Sequence, residues 1–149
     1  MAQVIYGNQF QGGLVRIPPS KSAAHRQVLC AALSRGKCTL SHVDMSEDIQ
    51  ATVAAVEALG AKVSFDEAAA TLTLDAANLG RQNAAIDCRE SGSTLRFLIP
   101  IAAALGVSAR FVGRGRLPER PLGVYGSCCP PTGWSSAPRA ACPWRFPAS

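Results

Sequence analysis

The chain of 149 residues has almost nothing from which to build a metal centre. It has only two histidines, His25 and His42, and six cysteines with no C-x-x-C pair among them. A structural zinc site would be short of ligands. The opening MAQVIYGNQF lacks a basic start, an apolar core and a small-residue cleavage site, so it does not read as a secretory signal. Reduced thiols, buried or incidental, and a cytoplasmic location follow as expectations. Long apolar runs are missing too. The longest, Phe97 to Val107, is too short for a bilayer and contains Pro100, so no membrane partner is expected. Aromatic residues make up 6%, and no basic stripe interleaved with stacking residues marks a nucleic-acid surface. What is present, 48% hydrophobic and 17% charged residues, is a globular balance.

Composition changes abruptly at Tyr125. Residues 1–125 hold 13 basic and 10 acidic side chains, and their apolar residues recur with helical and strand periods. Residues 126–149 hold five of the ten prolines, three of the six cysteines, both tryptophans and no acid. The net charge of +5 therefore divides into +3 for the body and +2, from Arg139 and Arg145, for the tail. This tail reads as unstructured, either as a proline-rich ligand for another domain or as a reading-frame change in GC-rich codons. The second reading is the sharper. Codons for Leu-Pro-Pro-His-Gly-Val-Glu-Leu, read one base late, can give Cys-Pro-Pro-Thr-Gly-Trp-Ser-Ser, which stands at Cys129 to Ser136.

The body divides into units. Strands are expected near Gln3–Tyr6 and at Leu14–Ile17, the latter closed by Pro18 and Pro19. A helix follows over Ser22–Leu33, with Val28, Leu29, Ala32 and Leu33 on one face and Gly36 as its cap. Lys37–Ser41 reads as a strand. Ser46, as N-cap, opens a second helix with acids in its first turn, which Gly60 stops after Leu59. Val63–Phe65 and Thr71–Leu74 alternate like antiparallel strands. The pattern then restarts as strand Ala84–Asp87, helix Ser93–Leu105 capped by Gly106, and strand Ser108–Val112. An offset of 70 pairs Arg26 with Arg96, Ala32 with Ala102 and Gly36 with Gly106. The expected fold is α/β, built from repeated β-α-β-α-β-β units, the second unfinished.

Three segments carry the chemistry. In Pro19–Arg26, PSKSAAHR, a helix N-terminus offers unpaired N–H groups, with Lys21 at its mouth and Arg26 one turn after Ser22. Arginine grips phosphate or carboxylate with two prongs, and lysine supplies a point charge. The glycine spacing of a P-loop is absent. A plain serine-capped helix with solvated cations is the alternative for this segment. In ESGSTLRFL, Gly92 allows close backbone approach, and Ser93 and Thr94 can cap the helix or donate to an oxyanion. The third, Gly113–Pro121, is a glycine-hinged basic loop bearing Arg114, Arg116 and Arg120, able to close over an anion or to sit solvated. Two anion-ready mouths and an arginine loop argue for a multiply anionic ligand. His25 and His42 read as plain polar residues. Asp44, Glu47 and Asp48 read as the second helix's start, with Asp48 able to reach the site.

PSKSAAHR, ESGSTLRFL and RLPERPLGVY, in that order and spacing, resemble the N-terminal motifs of the 3-phosphoshikimate 1-carboxyvinyltransferase (EPSP synthase) family over residues 1–125. The resemblance implies a domain of β-α-β-α-β-β units, an inside-out α/β barrel incomplete here. It also implies a second such domain, with the active site between the two. The family's first strand belongs with that second domain. The implied reaction moves the enolpyruvyl group of phosphoenolpyruvate to the 5-hydroxyl of shikimate 3-phosphate, with no metal or organic cofactor and a monomeric enzyme. By resemblance, Lys21 is catalytic and contacts both substrates. Ser22 and Arg26 hold shikimate 3-phosphate, and Gly92 and Arg120 bind phosphoenolpyruvate. The nearest alternative, the sister UDP-N-acetylglucosamine enolpyruvyltransferase family, carries a reactive cysteine in the loop corresponding to Gly113–Arg120, where this chain has none. The family's later phosphate site, proton-moving acid and second cationic cluster are missing from this chain. The expectation is a chain not competent alone, with a non-catalytic anion-binding module as the other reading.

Overall fold

A computed structural model describes residue 7 and residues 12–15, 17–81 and 83–128. Its elements run α1 (Lys21–Leu33), β1 (Lys37–Leu40), α2 (Glu47–Ala58), β2 (Lys62–Asp66), β3 (Thr71–Asp75), β4 (Ala84–Asp87), α3 (Gly92–Ala104), β5 (Ala109–Val112) and α4 (Gly123–Cys128). Two open sheets result. One is antiparallel in the order β1-β3-β2, and the other is the parallel pair β4-β5. The parallel pair needs a crossover, which α3 supplies as a β-α-β unit. The architecture is that of an incomplete α/β domain. Among the described residues no helix is long and apolar enough to cross a membrane.

The core follows the sequence patterns. Leu72 and Leu74 alternate inward along β3, Ile86 does so on β4, and both strand sets are covered by helices. α2 lies centrally against α1, α3 and β4. Its buried Ile49, Ala51, Thr52, Val53, Ala55 and Val56 cover much of its circumference, as a helix with neighbours on several sides requires. Burial of Cys88 pushes its thiol up to about 12, whereas Cys30 is exposed and Cys38 half-buried.

Four expectations need correction. Leu14, Val15 and Ile17 form no strand and are 98, 79 and 86% exposed. Gly12 and Gly13, at φ +73 and +142, stand just before Leu14, and a strand without a neighbour leaves its ladder unpaired. The strand expected at Gln3–Tyr6 lies outside the described residues. Leu33 is exposed, and Ala24 and Ala31 take its place in the core. The left-handed residue after α1 is Arg35 at φ +54, not Gly36, because Ser34 caps the helix and the turn falls one residue earlier. Ser46 stands at the N-cap of α2, yet its side chain makes no capping bond and its buried hydroxyl has no partner among the described residues. The change of composition at Tyr125 falls inside α4. α4 continues through Cys128, and residues 129–149 lie outside the described residues.

The repeat also shifts. α1 and α3 are both 13 residues long, and their N-caps, Ser20 and Ser91, are 71 residues apart rather than 70. Capping geometry therefore pairs His25 with Arg96, and Arg26 with Phe97. Matching like residues by chemistry misplaced the register by one.

Candidate anion site at three helix N-termini

α1 begins at an exposed mouth. Ser20 Oγ accepts the Ala23 N–H at 3.3 Å, which fixes the first turn. Lys21, the first helical residue, donates from Nζ to Asp48 Oδ2 at 3.0 Å. Arg26 donates to the carbonyl of Ser22 at 2.8 Å, so its guanidinium turns back toward the mouth. There its Cζ lies 5.4 Å from the ring centroid of Phe97, on α3. This cation–π contact bridges α1 to α3.

The mouth of α3 is closed and crowded. Ser91 Oγ accepts the Thr94 N–H at 3.2 Å, and Gly92, the first helical residue, is buried. A Cβ at Gly92 would stand 2.6 Å from Arg120 Nη1 and 3.4 Å from Arg96 Nη1. The glycine leaves room for these two guanidinium groups beside the start of a helix, where an anion is favoured.

Arg120 reaches this point because its loop is pinned to the segment before α3. The Arg114 N–H donates to Arg89 O at 2.8 Å, and Leu117 is buried. A Cβ at Gly113 would collide with the Leu117 side chain, and one at Gly115, where φ is +60, with the Glu90 carboxylate. Pro100 supplies a further tether. Lacking an N–H, it leaves the carbonyl of Arg96, four residues earlier, without its helical donor. Tyr125 donates its hydroxyl to that carbonyl at 3.1 Å.

Beneath both mouths runs a buried polar chain. His25 Nδ1 lies 2.7 Å from Thr52 Oγ1, and Thr52 Oγ1 lies 2.7 Å from Thr94 Oγ1. Thr94 donates to Ser91 Oγ at 2.7 Å. The carbonyl of Asp48 lies 3.2 Å from Thr52 Oγ1 and 3.4 Å from Thr94 Oγ1. Asp48 is thus bound from α1 by Lys21 and its carbonyl lies against Thr94 of α3, while it stands in the first turn of α2. Three helix N-termini meet there. Burial lowers the pKa of His25; Asp48 opposes the shift and Lys21 and Arg26 add to it.

The structure therefore brings Lys21, Ser22 and Arg26 to one mouth and Gly92 and Arg120 to the other. Arg26–Phe97 and the threonine chain hold the two mouths beside each other. Sequence reasoning missed Thr52, Phe97 and Tyr125. The signals were present: a lone threonine in the apolar run Ala51–Val56, and a proline inside α3 that had to orphan a carbonyl. His25 is not an ordinary polar residue, being only 2% exposed.

The chain is similar to known proteins. A family model described as EPSP synthase (3-phosphoshikimate 1-carboxyvinyltransferase) matches residues 5–125. The curated 3-phosphoshikimate 1-carboxyvinyltransferase of Clostridium beijerinckii is 49% identical over 119 residues, covering 76% of this chain and 27% of the relative. That of Clostridioides difficile is 45% identical over 130 residues, covering 81% and 30%. The chain thus spans about three tenths of the length of the curated relatives it matches. Among solved structures, an EPSP synthase from Acinetobacter baumannii superposes with a TM-score of 0.63 over 77% of this chain and 27% of that one. At 20% identity that likeness speaks for the fold. With the family model matched across almost all of the body, this chain belongs to the EPSP synthase (3-phosphoshikimate 1-carboxyvinyltransferase) family.

Proposed function

We propose that the chain supplies the N-terminal substrate-binding part of an enolpyruvyl transferase. The reaction is transfer of the carboxyvinyl group of phosphoenolpyruvate to the 5-hydroxyl of shikimate 3-phosphate, releasing phosphate. The meeting of the α1 and α3 mouths around Asp48 carries this reading. Two anionic substrates repel each other, and their reaction needs fixed cations that offset the repulsion and align the reacting atoms. The α1 mouth, with Lys21, Ser22 and Arg26, takes shikimate 3-phosphate. The α3 mouth, with Gly92 and Arg120, takes phosphoenolpyruvate, and Lys21 touches both. No cofactor takes part, the partners are small anions rather than nucleic acid or membrane, and the setting is cytoplasmic, with a monomeric enzyme.

Residues 1–125 form the enzyme-like part, about one and a half fold units, and residues 126–149 a separate tail. The 149-residue chain alone is inactive, because the mouths hold only one side of each substrate. Amide NMR titration of the full chain tests the reading. Shikimate 3-phosphate should shift Lys21 and Ser22, and phosphoenolpyruvate Gly92 and Ser93, with no phosphate released. Silence at both mouths at millimolar ligand overturns the assignment, and measurable phosphate release overturns the inactivity.

A further inference from the structure

The buried chain from His25 to Ser91 has a fixed polarity. Each hydroxyl owns a single proton. Thr94 spends its proton on Ser91 Oγ, which also accepts the Thr94 backbone N–H that caps α3. Thr52 therefore cannot receive a proton from Thr94. Its own proton fills the 2.7 Å contact to Thr94 Oγ1, which has no other hydrogen to hold it, with the carbonyl of Asp48 3.2 Å away. Toward His25, Thr52 then offers only a lone pair, so the ring nitrogen 2.7 Å away must be the donor. We propose that His25, held with its proton on Nδ1, is a positioning residue that acts through Thr52 and Thr94 to fix the cap, and hence the anion-facing N–H groups, of α3.

The arrangement serves a purpose beyond packing. His25, Thr52, Thr94 and Ser91 are at most 3% exposed and come from α1, α2 and the start of α3. A buried polar chain tolerates no half-satisfied member, so each proton direction constrains the next. A change of tautomer at His25 would confront Thr52 with a second lone pair and force the chain to reverse as far as the Ser91 cap. The charged groups acting on His25 are Lys21 and Arg26 on α1 and Asp48 on α2; from α3 the ring meets the uncharged Phe97, edge-on at 6.5 Å. Burial, opposed by Asp48 and aided by the two cations, disfavours the charged ring and so favours the single donor.

The functional consequence rests on the proposed function, but the relay is testable without it. In the full chain carrying His42→Asn, a residue that tolerates the left-handed φ of +58 at that position, His25 is the only imidazole. Long-range nitrogen–proton NMR should show a protonated Nδ1 and a bare Nε2, unchanged as pH falls past the ordinary histidine midpoint of about 6.5. His25→Leu or Thr52→Val should shift the Thr94 amide. His25→Asn, whose amide places a donor near Nδ1, should return it to the wild-type position. A proton on Nε2, an imidazolium at neutral pH, or an Asn variant that behaves like the Leu variant overturns the relay. Phosphoenolpyruvate should bind the Leu and Val variants about tenfold more weakly than wild type. If wild-type chain ignores phosphoenolpyruvate while the tautomer and the rescue stand, it is the functional reading that fails.

Discussion

The two mouths are built from one helical plan and finished in opposite ways. α1 and α3 have the same length and the same serine N-cap, each bonding the N–H three residues on. Yet α1 carries its cations within its own first turns, at Lys21 and Arg26, and leaves them exposed. α3 keeps only Arg96 in its helix and borrows Arg120 from a loop that folds back over a buried glycine. A cation carried on a helix needs only the helix to be in place. A borrowed one needs a pinned loop, a glycine and a tether, so the α3 mouth depends on tertiary structure throughout.

The largest expected effect is on that dependence. Leu117→Ala removes the loop's buried anchor and should cost about 3 kcal/mol of stability, read by denaturant unfolding. Hydrogen exchange should rise along Gly113–Pro121 before it rises at α1. Equal loosening at both mouths would erase the distinction between them. Gly92→Ala comes next. Its Cβ meets the tip of a flexible arginine, so folding should survive while the guanidinium of Arg120 is displaced. Phosphoenolpyruvate binding should weaken by about 2 kcal/mol, roughly thirtyfold, with shikimate 3-phosphate binding unchanged.

Tyr125→Phe should cost about 1 kcal/mol, through the orphaned carbonyl of Arg96. The loss should shrink in a Pro100→Ala background, where a helical N–H returns, and an equal loss in both backgrounds would refute the tether. Stability should also depend on His25. Its folded pKa lies below the unfolded value of 6.5, so the unfolded chain takes up the proton first. Its contribution is full above pH 6.5 and is lost as pH falls toward the lowered folded value. His25→Asn should flatten that slope, and an unchanged slope would assign it to carboxylates instead. Least of all, Asp48→Asn should cost about 0.5 kcal/mol or less in stability, since Lys21 and Asp48 are both partly exposed.

Much of this was legible in the residues themselves. Helix starts, the β2–β3 pairing, both anion-ready mouths and the basic loop follow from capping chemistry and from periods of 3.6 and 2, which are local properties. Local chemistry alone places Lys21, Ser22 and Arg26 at the start of one helix, with Ser22 and Arg26 one turn apart on it. It takes long-range packing to set Arg120 beside Gly92, to bring Tyr125 to the carbonyl left by Pro100, and to link His25 to Thr94 through Thr52. Each of these joins residues distant in sequence, and no local period encodes such a distance. The missing strand at Leu14–Ile17 makes the same point in reverse. Its residues suit a strand, but a strand exists only when a neighbour pairs its backbone.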